Sequence, residues 1–269
     1  MILILAALSQ AAVLMIAFMT AAWLTQRATG NAGWSDAFWS LGVGATGFAL
    51  ALMPVAGTDW PTGRQLLVAA AAALWSLRLG LHIAARSLGE KEDARYAALR
   101  SEWAPDFQRR LFTFLMIQAA AGWFLALSIL AAAQNPRPGL GAQDWLAVVL
   151  IVVAVAGEGF ADRQLQAFRQ SKDKTLGAVC DRGLWAWSRH PNYFFEWLGW
   201  CAYPLFAVDL SGGHPVGLFA LTGPIFVYWL LVHVSGIPLL EAHMMRSRPA
   251  AFAAYRDRVP AFFPRRPPR

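Results

Sequence analysis

The residues best suited to chemistry lie in one run, Ser188-Arg189-His190-Pro191-Asn192-Tyr193-Phe194-Phe195-Glu196-Trp197. Proline fixes φ and lacks an N–H, so Pro191 reads as the first residue of a helix, with Arg189 and His190 just outside it. The free N–H groups at that end attract an anion, and Arg189 adds a fixed charge. Asn192 and Glu196 share a face at i,i+4, with Tyr193 three residues before the acid. A carboxylate opening an apolar run is expensive without partners or a task. The plainer alternative is a capped helix end with a satisfied glutamate.

Other polar residues recur at helical spacing inside apolar runs. Arg78, His82 and Arg86 stack at i, i+4, i+8. Glu158, Asp162, Gln166 and Arg169 follow at i, i+4, i+8, i+11, where carboxylates suit ribose or amide donors and Arg169 suits a phosphate. Lys172 and Lys174 follow and read as solvated loop lysines. Asp36 opens another apolar run, and Glu241 follows Pro238 near the end of the last. The string Gly42-Val43-Gly44-Ala45-Thr46-Gly47 matches G-x-G-x-x-G, but it sits inside an apolar span rather than after a strand. It reads as a close helix–helix contact, not a nucleotide loop. Cys180 and Cys201 form neither a disulfide framework nor a metal pattern.

These side chains need helices to position them. Of 269 residues, 57% are hydrophobic and only 14% charged, against about 25% charged in a soluble domain, so the chain reads as an all-α, polytopic membrane protein. Seven spans are expected at about 2–24, 34–55, 66–85, 111–133, 145–165, 191–208 and 216–237, in one membrane-embedded domain over 1–269. The first reads as a retained helix rather than a signal peptide. An interfacial helix over 241–269 is expected to turn Phe252, Tyr255 and Val259 to one side. Twenty of the 23 basic residues fall in alternate loops and the tail, Arg64 and Arg137 fall in the opposite loops, and Arg78 lies within a span. That bias puts the N-terminus outside and the C-terminus in the cytoplasm. It also explains the net charge of +7 without nucleic acid.

Asp36, Arg86, Asp162, Glu196 and Glu241 would then gather in one cytoplasmic layer. Such a layer suits a soluble polyanionic cofactor, with an apolar small-molecule substrate arriving from the bilayer. Membrane lipids are the other expected partners, and no obligate protein partner is evident.

The motifs Asp181-Arg182-Gly183-Leu184-Trp185, Ser188-Arg189-His190-Pro191-Asn192-Tyr193 with Glu196, and Glu92-Asp93-x-Arg95-Tyr96 resemble the steroid 5α-reductase superfamily. So do Trp34 with Asp36, Ser235-Gly236-x-Pro238 with Glu241, and the ending Tyr255-x-x-x-Val-Pro-x-Phe-Phe-Pro264. Its bacterial branch, once labelled only a domain of unknown function, is the most similar. The resemblance implies a bacterial inner-membrane protein with NADPH in a cytoplasm-facing cavity, reducing the C=C bond of a 3-oxo-Δ4-steroid-like enone. It carries cofactor contacts to Arg86, Asp162, Arg169, Arg189, His190, Asn192, Tyr193, Glu196, Glu241 and Tyr255. The family's substrate end uses a glutamate on the second helix and a tyrosine on the third. Neither matches cleanly here, and Asp36, as a protonated carboxyl, and His82 are the candidate proton donors.

Two alternatives stand beside this. Arg-His-Pro-x-Tyr also resembles isoprenylcysteine carboxyl methyltransferases, which use S-adenosylmethionine, although their paired glutamates give way here to Glu241-Ala242. A transporter or lipid-binding protein would be expected to show paired broken helices.

Overall fold

The computed structural model describes residues 2–55, 60–89, 92–171 and 179–266, and these are helical and irregular, with no strand. Lys172 and Lys174 lie outside the described residues. In chain order the α-helices are α1 (Ile2–Thr29), α2 (Trp34–Ala51), α3 (Gly63–Gly89), α4 (Ala94–Glu102), α5 (Phe107–Ala133) and α6 (Ala142–Gln170). They continue as α7 (Pro191–Trp200), α8 (Ala202–Ala207), α9 (Thr222–Trp229), α10 (Ile237–Ser247) and α11 (Pro249–Arg258). Among the described residues five segments are long and apolar enough to cross a membrane: Ile4–Thr29, Gly63–Leu88, Phe107–Ala133, Ala142–Gln170 and Pro215–Ser247. Several such helices mark a membrane protein.

Two expected spans differ. α2 forms over the expected stretch, but Ser35, Asp36, Ser40 and Thr46 dilute its apolar content, and it is not among the five. The stretch 191–208 is not one helix but two, α7 and α8, parted at Cys201. Pro204 accounts for the break, because in a continuous helix its ring would meet the Trp200 carbonyl and it has no N–H to give.

The chain divides into two compact units, 1–148 with 202–223, and 149–201 with 224–269. In the first, α2 packs against α1, α3 and α5, and its glycines allow this. A methyl group on Gly42 would press on Phe18 of α1, one on Gly44 on Ser76 of α3, and one on Gly47 on Ile129 of α5. The apparent nucleotide loop is therefore a three-way packing surface. One end of this unit is tied by Arg64, whose five donors reach Asp144 twice and the carbonyls of Asn135, Arg137 and Gly139. Asp144 is fully buried and also accepts from Arg137 and the Gly141 N–H.

In the second unit α6 and α7 run antiparallel. Asn192 meets Asp162, a methyl group on Gly157 would strike the Phe195 ring, and one on Gly199 would touch Ala154 at 3.4 Å. The C-terminal residues follow. Phe252, Tyr255 and Val259 are buried against Val179, Met244 and Met245, so this face, expected at the bilayer interface, packs on protein instead.

Candidate functional site

Pro191 is the first residue of α7 with His190 as its N-cap, as the dipeptide predicts. Asn192 Nδ2 donates to Asp162 Oδ1 at 3.3 Å, and Asn192 Oδ1 accepts from the Tyr193 N–H at 3.0 Å. One turn on, buried Glu196 accepts from the Trp200 indole at 3.1 Å. The antiparallel register that pairs 162 with 192 sets Glu158, also buried, across from Glu196. The spacing of Glu158 was visible in the sequence, but its place opposite Glu196 was not. Arg169 is exposed in the last turn of α6.

Arg189, expected as a free charge for an anion, has a different role. Its Nε and Nη2 grip Glu241 at 2.8 and 3.1 Å, while Nη1 donates to the carbonyls of Arg256 and Val259. With only 9% of its side chain exposed, it is paired with that carboxylate and fastens the C-terminal segment. His190 lies 3.0 Å from the same carboxylate through Nε2. Burial pushes the imidazole pKa down against the upward pull of Glu241, so the neutral ring donates Nε2–H to the carboxylate. That tautomer leaves Nδ1 a bare acceptor. Nδ1 is buried and has no hydrogen-bond partner among the described residues, while the ring stacks on Tyr193 at 5.4 Å. Tyr255, expected as a cofactor contact, is buried with its hydroxyl donating to the Trp185 carbonyl at 2.6 Å. Burial raises the Tyr255 pKa, which suits a fixed donor.

The first unit holds the other sequence candidates. Asp36 was expected to give a proton, yet both its oxygens accept, Oδ2 from Arg95 at 2.7 Å and Oδ1 from the Tyr96 hydroxyl at 2.8 Å. Tyr96 is therefore the proton-bearing member of the pair, a role the sequence reading missed although the Glu92-Asp93-x-Arg95-Tyr96 run was in view. Burial, then the Asp36 carboxylate, raise its pKa well above the usual phenol value. Gln118 of α5, near the same hydroxyl, opposes that rise. Its Oε1 is left buried without a hydrogen-bond partner among the described residues.

Arg86 reaches Asp93 at 3.3 Å, and Asp93 also caps α4 through the Arg95 N–H. Despite burial, the two arginines hold the Asp93 carboxyl below its ordinary pKa. His82 is exposed on α3. A groove of about 410 Å³ is lined by Thr29, Gly30, Asn31, Trp34, Ser87, Leu88 and Glu92. Its Glu92 accepts from the Ala32 N–H and from Arg100.

A family profile described as "Protein of unknown function (DUF1295)" matches residues 22–259. The uncharacterized protein C594.04c of Schizosaccharomyces pombe is 26% identical over 270 residues, covering 88% of this chain and 76% of the yeast protein. No solved structure matches.

Proposed function

The chain belongs to the DUF1295 family, and we propose that it is a membrane reductase of the steroid 5α-reductase type. It uses NADPH to saturate the C=C bond of an apolar α,β-unsaturated ketone. The reading includes the finer topology, with seven crossings of a bacterial inner membrane, the N-terminus outside, and the cofactor entering from the cytoplasm. The observation that carries it is the α6–α7 pairing, which brings Asp162 and Asn192 together and Glu158 across from Glu196.

The donor and acceptor set fits a dinucleotide. Asp162 offers carboxylate oxygens to ribose hydroxyls, Asn192 offers both halves of an amide, and the orphaned His190 Nδ1 needs an N–H or O–H donor of the kind a carboxamide or hydroxyl supplies. Arg169, exposed nearby in sequence, supplies charge for a phosphate. When bound, NADPH provides the hydride. The chain's own residues orient it and stabilise charge. As hydride reaches the substrate's β-carbon, negative charge gathers on the carbonyl oxygen, and a donor aimed there lowers the barrier. Within its own unit Tyr96 keeps its proton and gives it to Asp36, which Arg95 anchors. A proton from solvent at the α-carbon completes the balance.

The test is turnover of the detergent-purified protein with NADPH and a 3-oxo-Δ4 steroid. The reading expects nucleotide oxidation matched by a product two hydrogens heavier. Saturable binding of S-adenosylmethionine without NADPH oxidation would transfer the protein to the methyltransferase class. Movement of substrate across vesicles without cofactor consumption would make it a transporter.

A further inference from the structure

The C-terminal segment is fastened to residues 185–189. Tyr255 bonds the Trp185 carbonyl, the Arg189 N–H donates to Pro260 O at 2.9 Å, and Ser188 Oγ donates to the carbonyls of Ala261 and Phe262 at 3.1 and 2.9 Å. Arg265 N–H closes the strap on Trp187 O at 2.8 Å. Phe262 and Phe263 add edge contacts to Phe194 and Trp197. The strap thus ends directly beside His190 and the start of α7.

The segment's exposed charged side chains are mostly cationic. Arg246, Arg248, Arg256, Arg258, Arg265 and Arg266 are all exposed. Asp257 is the one acid between 242 and 266, and Asp181 reaches Arg258 at 3.3 Å. Six positive charges less these two leave a net of four. These arginines also lie where a membrane surface is expected. The apolar run Pro215–Ser247 has 33 residues against about 20 needed for one crossing, and its last part, α10, begins after a break at Ser235 and Gly236. Its last turns and α11 therefore emerge among headgroups. Guanidinium forks match phosphate oxygens, and anionic lipids concentrate at such a surface.

We propose that these exposed arginines bind anionic phospholipid headgroups, and that this contact tightens the strap over residues 185–190. The inference stands apart from the reductase reading, because its readout needs neither nucleotide nor substrate. The full chain is placed in nanodiscs of phosphatidylcholine alone or with phosphatidylglycerol, and amide hydrogen exchange is followed over 185–190 and 249–266. Exchange should slow by about fivefold or more with phosphatidylglycerol, and the effect should shrink as salt is added. The variant Arg246→Gln/Arg248→Gln/Arg256→Gln/Arg258→Gln, which keeps the backbone carbonyls that hold Arg189, should lose the slowing. Equal exchange in the two wild-type nanodiscs overturns the proposal, and that comparison needs no variant. Undiminished slowing in the variant also overturns it. Equal slowing by inorganic phosphate over phosphatidylcholine nanodiscs assigns the arginines to a soluble anion and overturns the lipid assignment.

Discussion

Glu241→Gln isolates what holds the C-terminal strap to the start of α7. The native carboxylate takes Arg189 Nε at 2.8 Å, Arg189 Nη2 at 3.1 Å and His190 Nε2 at 3.0 Å. Glutamine keeps the size but removes the charge, offers one oxygen to three donors, and turns an NH2 toward a guanidinium. Breaking a buried ion pair by neutralising one partner costs about 3–5 kcal/mol. Here Glu241 keeps 17% side-chain exposure, and Arg189 keeps the Arg256 and Val259 carbonyls. The lower end, about 3 kcal/mol, is therefore expected. Native-state hydrogen exchange reads this locally, with amides of 252–262 exchanging about a hundredfold faster. A change of less than about threefold, in protein that still elutes as a single folded species, would refute the claim that this pair holds the strap.

Other outcomes follow from the same geometry. Arg64→Met leaves Asp144 fully buried with only Arg137 and the Gly141 N–H, and should lower the thermal midpoint by about 10 °C, read by tryptophan fluorescence. Arg137→Met, at a side chain 27% exposed, should cost clearly less. The lowered pKa of His190 means that the unfolded chain takes up a proton near pH 6.5 while the folded one does not. Its contribution is thus complete above about pH 6.5 and is lost as pH falls toward the folded pKa. Wild type should lose thermal stability between pH 7.5 and 5.5 more steeply than His190→Gln. Tyr96→Phe leaves the Asp36 carboxylate with Arg95 alone and should lower the thermal midpoint by about 4 °C; an unchanged midpoint would show that this hydroxyl adds nothing to stability.

The sequence revealed what depends on local geometry. Pro191 announced the start of α7, i,i+4 spacing put Asp162 on a usable face of α6, and the small residues of α2 implied close packing whatever their motif suggested. The split at Cys201 was missed, although its signal, a proline at 204 that a continuous helix cannot tolerate, was in the sequence. Long-range choices of partner were not. Arg189 is as able to meet a phosphate as Glu241, and nothing local selects between them across 52 positions. Arg64 and Asp144, 80 apart, open two separate helices, and nothing local pairs them. Asp36 offered a carboxyl whose role turned on Arg95 and Tyr96, residues 59 and 60 positions away. The hydrophobic side of α11 could have met lipid or protein, and Val179, Met244 and Met245 decide for protein.

The central claim is that the α6–α7 pair holds a dinucleotide, and direct titration of the purified full-length protein with NADPH tests it most directly. Saturable binding is expected, weakened about tenfold or more in Asp162→Asn and in Asn192→Ala, with S-adenosylmethionine giving no saturable signal. Absence of saturable NADPH binding in folded wild type, or affinity untouched by both substitutions, would contradict it.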